Sequence, residues 1–219
     1  MGTNSEIFSG ISVVTTTWNE KENIKQLILR VKSVLSGFPN EVIVVDDTSP
    51  DGTLDVAKQY ADVAVGKTRE GQTKGLLYGM KLAKFPIIVT IDADLENNPD
   101  VILKLIEKVN NFDLVVASRT DIPRFSEKLA SKTLGKMFGI SDFFSNFRVY
   151  KKQTIASTLK GGETFGGELL VIAKKKGFKI GEIMYEPPHR RIKPRIGGTI
   201  RANLRIIVAL FKCFLIYVI

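Results

Sequence analysis

Residues 87–99, IIVTIDADLENNP, run from a short apolar segment straight into a cluster of carboxylates. Ile87, Ile88, Val89, Thr90 and Ile91 are mostly β-branched and show no helical spacing, so they read as a strand buried on both faces, the pattern of a parallel sheet. Asp92, Asp94 and Glu96 follow at i, i+2 and i+4. A strand carried through them puts all three on one face; a strand ending before them leaves them on a loop at its carboxyl end. In both cases oxygen ligands converge where open α/β sheets bind their ligands. Hard carboxylates with no Cys or His nearby suit Mg²⁺ or Mn²⁺ carrying a phosphorylated substrate. A solvated acidic turn is the competing reading, because Asp and Asn favour turns anyway.

Upstream, Ile11 to Thr17 (ISVVTTT) is a second β-branched run, ending at Trp18, Asn19 and Glu20. Ile24, Leu27, Ile28, Val31, Val34 and Leu35 then follow the spacing of an amphipathic helix, which Gly37 and Pro39 stop. Glu41 to Val45 is another apolar strand, with a polar turn from Asp46 to Gly52 at its carboxyl end. Helical signals run from Thr53 to Tyr60, a short strand is expected at Ala61 to Val65, and a basic, glycine-containing loop spans Lys67 to Gly75. A small-residue helix, Leu76 to Ala83, leads into the central strand. Downstream, Val101, Ile102, Leu105, Ile106 and Val109 mark a helix, and Leu114 to Ala117 a strand ending at Ser118 and Arg119. Asp121 to Ser145 reads as an irregular loop followed by a helix, Phe147 to Tyr150 as a short strand, Val171 to Lys176 as a helix capped by Gly177, and Phe178 to Tyr185 as a strand. This alternation predicts an α/β fold, a mostly parallel sheet flanked by helices.

The chain of 219 residues suits one large α/β domain with an appendage, 1–198 and 199–219. Apolar content of 44% and charged content of 25% supply an ordinary core and argue against global disorder. A formal charge of +9 implies an anionic partner. Cys213 is the single cysteine, which excludes an internal disulfide and fits a reducing compartment. Met1 to Gly10 carries no signal-peptide pattern. The basic residues gather after strands and in PPHRRIKPRIGG, 187–198, rather than along one continuous aromatic-interleaved face, so a nucleic-acid module is disfavoured.

The final segment, Thr199 to Ile219, sets Arg201, Arg205 and Lys212 on one helical stripe and Leu204, Ile207, Val208, Phe211, Leu215 and Val218 on another. A basic amphipathic helix of this kind lies in a membrane interface. A spanning helix needs roughly 20 apolar residues. From Ile206 only 14 remain, interrupted by Lys212. The segment therefore reads as an interfacial anchor or the start of a membrane region, with a core helix closing the domain as the alternative.

Together, TTWNE after the first strand, VVDDTSPDGT after the second, DADLENNPD after the central one, SRT at Ser118, NFRVYKK at Asn146 and the late GGE with its basic loop resemble the family 2 glycosyltransferases. Within them the likeness is to the dolichyl-phosphate mannose synthase and polyprenyl-phosphate glucosyltransferase group, over about Ile11 to Gly198. The resemblance implies a GT-A (Rossmann-like) fold, Mg²⁺ or Mn²⁺, a nucleotide diphosphate sugar and a polyprenyl (dolichyl) phosphate lipid, at the cytoplasmic face of a membrane and without nucleic acid. GDP-mannose leads as donor, UDP-glucose is the alternative, and transfer to a hydroxyl acceptor remains open. The processive QxxRW signature is absent, and so is the glycine-rich start of a nucleotidyltransferase.

Residue by residue, the resemblance puts Glu20 and Asp47 on the nucleoside and makes Thr16 and Trp18 walls of the base pocket. Asp92 reaches toward the nucleotide, and Asp92, Asp94 and Glu96 form the metal set. Asp46 takes a structural role in its turn. Glu96 stands where the mannose synthases usually carry Gln, and Asn97 and Asn98 where they carry His and Pro. Gly71 to Gly75, with Lys74, resembles a glycine-rich phosphate loop. Transfer to a phosphate needs no base, because the acceptor oxygen is already anionic; it needs cations to hold two like-charged phosphates together. Arg119 and Arg148 are expected on the acceptor phosphate, with Arg190, Arg191, Lys193 and Arg195 in a loop closing on the donor. Glu168 matches an acidic position near metal or sugar, and the sole histidine, His189, lines the loop.

Overall fold

In the computed structural model, residues 9–122, 124–158, 166–188 and 199–218 are described. Seven strands form one sheet in the order β3-β2-β1-β4-β6-β5-β7. They are β1 (Ile11–Thr17), β2 (Asn40–Asp46), β3 (Val63–Gly66), β4 (Ile87–Thr90), β5 (Leu114–Arg119), β6 (Arg148–Lys151) and β7 (Ile180–Tyr185). All run parallel except β6, which pairs antiparallel with both β4 and β5.

Alternation along each strand explains why the strands read as unbroken apolar runs. Val13, Val42, Val44, Val89 and Val115 face one side, where they meet Ile24, Leu27, Ile28 and Val31 of α1 (Lys21–Val34), Ala57 of α2 (Thr53–Tyr60) and Ile102 and Leu105 of α4 (Val101–Val109). Val14, Ile43, Val45, Ile88 and Val116 face the other, against Leu76 and Met80 of α3 (Gln72–Leu82), Ala130 of α5 (Phe125–Ala130), Phe138 of α6 (Lys136–Phe138), Leu170 and Val171 of α8 (Gly167–Lys175) and Cys213 of α9 (Thr199–Val218). A short helix, α7 (Lys152–Thr158), follows β6. Burial on both faces stabilises each such side chain by about 1.5–3 kcal/mol, and that is why the polar residues are pushed to the strand ends.

Two helical segments depart from expectation. The first is α3, which begins at Gln72, a turn earlier than the glycines suggest. Gly71 is the turn residue, at φ +93°, whereas Gly75 and Gly79 lie inside the helix and let it sit close on β1. A Cβ at Gly79 would come within 2.4 Å of Val14 Cγ1, and one at Gly75 within 2.6 Å of Thr16 Cγ2. The second is 125–138, which is helical nearly throughout, α5 and α6 being joined by a wider π turn, Ser131–Gly135.

The last helix, α9, lies on the described domain surface. Its docked stripe is Ile206, Ala209, Leu210, Cys213 and Ile216, and Asn203 Oδ1 accepts from Ser126 Oγ at 2.6 Å. The apolar stripe singled out in the sequence, Leu204, Ile207, Val208, Phe211, Leu215 and Val218, is the outward one, with Phe211 63% exposed. The helix is apolar on two sides, so it both closes the domain and offers an outer apolar face. No described helix is long and apolar enough to cross a membrane.

Candidate active site

The order of strands reverses beside β1, between β2 and β4, so the crevice forms at the carboxyl ends of these strands. Three loops leaving them carry left-handed non-glycine residues, Asn19 (φ 58°), Thr48 (φ 60°) and Leu95 (φ 62°). Asn tolerates this conformation, but Leu does not, and strain of about 1–3 kcal/mol at such a position persists only where surrounding structure imposes it. Leu95 sits between the two acids Asp94 and Glu96.

Strand pairing ends at Thr90, before the acids. The alternation of a strand therefore does not carry Asp92, Asp94 and Glu96 onto one face, and the left-handed turn at Leu95 separates the last from the others. Asp92 accepts from Gln72 Nε2 and from Asn97 Nδ2 (3.3 Å), and Asn97 Oδ1 accepts from Tyr185 Oη. Asp94 accepts the Glu96 N–H at 3.1 Å and opens to solvent. Burial raises the Asp92 pKa, against the pull of Arg119 and the two amides. Asp94 is pushed up to about 7, by desolvation in the crevice first and then by the charge of Asp92, with Glu96 and Glu20 adding to it.

As a correction to the expected three-carboxylate metal set, no group of three or more His, Cys, Asp or Glu able to hold an ion is assembled among the described residues. What exists is an adjacent acid pair, Asp92 and Asp94, in which desolvation first and the charge of Asp92 second keep a proton on Asp94 to near neutrality. Crowded negative charge without a cation, and oxygen-only donors, fit a hard divalent ion held by one or two carboxylates with phosphate oxygens completing its shell.

At the end of β1, Trp18 is half-buried and Arg69 lies over its ring, 3.6 Å from the centroid. Thr16 packs against Gly75, and Glu20 Oε2 accepts from Asn23 at the start of α1 at 2.7 Å. Asp47 is engaged by Lys67 Nζ (2.7 Å) and the Gly71 N–H (2.9 Å), which ties the loop before α3 to the end of β2. Asp46 accepts from Thr17 and Ser49 and holds its turn, as expected. Lys74 pairs with Glu70 at 3.1 Å on the surface.

Arg119, at the end of β5, is gripped by Asp142 through Nε (2.6 Å) and Nη2 (3.2 Å), with Glu127 at 3.4 Å. Burial opposes its charge, but those two acids outweigh the cost and hold the guanidinium fully protonated. It stands at the carboxyl end of β5, and its charge pulls against the raised pKa values of Asp92 and Tyr185. Arg148 corrects the expectation that it meets the acceptor. Its antiparallel strand begins at the same edge, yet the side chain is 0% exposed and donates to the carbonyls of Phe143 (3.0 Å) and Gly166. It braces the wall from within. Glu168 is likewise buried, in the first turn of α8. His189, Arg190, Arg191, Lys193 and Arg195 lie outside the described residues.

Gln72, Asn97, Tyr185 and Asp142 carry much of this geometry without standing out in the sequence. Amides and a tyrosine give no compositional signal, and the Gln72–Asp92 and Tyr185–Asn97 contacts join residues 20 and 88 apart.

The model of the family described as "Glycosyl transferase family 2" matches residues 12–164. Dolichol-phosphate mannosyltransferase of Pyrococcus furiosus is 31% identical over 195 residues, covering 80% of this chain and 55% of the relative. Undecaprenyl-phosphate 4-deoxy-4-formamido-L-arabinose transferase of Pectobacterium atrosepticum is 31% identical over 169 residues, 68% of this chain and 51% of the relative. The chain thus spans about half the length of the curated relatives it matches. Among solved structures, glucosyl-3-phosphoglycerate synthase from Mycobacterium tuberculosis with phosphoglyceric acid superposes with a TM-score of 0.79 at 19% identity, covering 96% of this chain and 82% of that one. The same synthase with Mn²⁺, UDP and glucosyl-3-phosphoglycerate gives 0.75 at 18% identity, covering 95% and 82%. At that identity the likeness establishes the fold.

Proposed function

The chain belongs to the family 2 glycosyltransferases, and on that premise we propose that it transfers a hexosyl group, with inversion, from a nucleoside-diphosphate sugar to a polyprenyl phosphate at a membrane surface. The observation that carries this reading is the placement, at the carboxyl ends of β4 and β5 in one sheet, of the Asp92–Asp94 acid pair and the Arg119 guanidinium. One side suits a metal–diphosphate and the other a second phosphate. The names of both curated relatives contain a polyprenyl phosphate and differ in the sugar. We propose mannose from GDP-mannose as the donor group, with UDP-glucose as the alternative.

Asp94 and Asp92 would hold Mg²⁺ or Mn²⁺, which when bound supplies Lewis-acid neutralisation of the leaving diphosphate. Trp18 offers a flat face for the base, and Glu20 and Asp47 border the nucleoside. Arg119, oriented by Asp142, holds the acceptor phosphate against the donor's negative charge. A phosphate oxygen attacks the anomeric carbon; the bond from that carbon to the diphosphate breaks, and its electron pair leaves with the nucleoside diphosphate. No proton needs removal from a phosphate acceptor, whereas a hydroxyl acceptor would need Glu168 or another acid as base.

The outer stripe of α9 supplies the membrane contact in this proposal. Beside it α5 and α6 expose Phe125, Leu129 and Met137, with Lys128, Lys132 and Lys136 between them, giving one apolar and basic surface. Incubation with Mn²⁺, a polyprenyl phosphate and either GDP-mannose or UDP-glucose tests the reading. Lipid-linked sugar from one donor is expected; nucleotide binding with no lipid product from either would refute it.

A further inference from the structure

Resting on the transfer reading above, we propose that Gln72 and Asn97 are positioning residues that clamp Asp92 between two amides, with Tyr185 as the strut that orients the clamp. Asp92 Oδ1 accepts from Gln72 Nε2 and Oδ2 from Asn97 Nδ2, so each carboxylate oxygen receives one N–H and keeps a lone pair for substrate or metal. Asn97 is 7% exposed and cannot swing to solvent. Its carbonyl oxygen accepts the Tyr185 hydroxyl hydrogen, which leaves the amide NH₂ facing Asp92. The reverse orientation would aim a carbonyl oxygen at a carboxylate.

The clamp joins three elements that share no sequence neighbourhood: the first turn of α3, the loop after β4 and the last residue of β7. It also divides labour between the two acids. Asp92 is held in one rotamer by two side-chain donors, while Asp94 receives a backbone N–H from Glu96 and faces solvent. The fixed acid sets the geometry and the open one exchanges ligands.

Two measurements test it. The first is a double-mutant cycle of Asn97→Leu and Asp92→Ala on thermal unfolding in metal-free buffer. The clamp predicts that the double variant loses clearly less than the sum of the single losses; additive shifts would overturn it whatever the protein transfers. The second is titration of Mn²⁺ in the presence of GDP or UDP. Asn97→Leu and Gln72→Leu are expected to weaken Mn²⁺–nucleotide binding by about tenfold, the scale of outer-shell partners. Tyr185→Phe should give a smaller loss that disappears in the Asn97→Leu background, because it acts through Asn97. Unchanged Mn²⁺–nucleotide affinity in a folded Asn97→Leu protein would reduce the contact to a structural one and overturn the positioning role. A wild-type protein that binds no Mn²⁺–nucleotide would instead refute the transfer reading and the positioning role together, and the cycle would still decide the clamp.

Discussion

A carboxyl group that keeps its proton to about pH 7 is an unusual thing to leave open to solvent, and Asp94 does so because burial in the crevice and the neighbouring charge of Asp92 both disfavour its anion. The consequence for stability has a definite sign. A carboxyl whose folded-state pKa lies above its unfolded value binds more protons when folded, so the metal-free protein loses stability as pH rises from about 4 to 7. Asp94→Asn removes that cost. Its melting temperature, measured without divalent cations, should exceed that of wild type at pH 8 and converge with it below pH 4, while transfer falls by more than about 100-fold, beyond the range of outer-shell changes. A variant that melts below wild type at pH 8 would contradict the electrostatic account. Arg119→Lys makes the second test at this scale. Lysine cannot reproduce the two-point grip on Asp142, and loss of one charge-assisted hydrogen bond, about 1.5–3 kcal/mol, predicts at least about tenfold slower transfer at saturating donor. The expected positions of Asp92, Asp94 and Arg119 after strands match the structure, which sets them at the carboxyl ends of β4 and β5. The expectation failed for Arg148, because the strand order that buries it depends on an antiparallel insertion between β4 and β5.

The strands were legible because burial on both faces leaves runs such as Ile87–Thr90 with nothing else to be. Helix α3 was less so: Gly71 and Gly75 look alike in sequence, yet one turns the chain and the other lies against Thr16. That difference predicts that Gly79→Ala, which forces a Cβ to 2.4 Å from Val14 and 3.1 Å from Val45, costs about 1–3 kcal/mol by overpacking in denaturant titration. A cost within error of zero would mean that α3 sits farther from β1 than described. Helix α9 was legible on its outer stripe and not on its docked one, Ile206, Ala209 and Cys213, because hydrophobic periodicity does not resolve two stripes that are both apolar. The account assigns the outer side to lipid. Val208→Glu together with Phe211→Glu should abolish cosedimentation with anionic vesicles while changing stability by less than about 1 kcal/mol, since both side chains already face solvent. Retained vesicle binding would move the membrane contact elsewhere.

At the scale of the molecule, one sheet edge gathers acids on the β1, β2 and β4 side and a guanidinium on the β5 side, and helices α5, α6 and α9 expose apolar and basic side chains. The net charge of +9 is consistent with a protein whose partners are diphosphates, a lipid phosphate and an anionic bilayer. In the proposed reaction the acceptor brings its own negative charge to the Arg119 cation, so no carboxylate has to take a proton from it. The most direct measurement is therefore transfer from the working donor, in vesicles with Mn²⁺, to a polyprenyl phosphate and to the matching polyprenol under identical conditions. The account predicts glycosylated lipid from the phosphate and none from the alcohol. Equal product from the alcohol would show that the site activates a hydroxyl and would contradict the proposed chemistry.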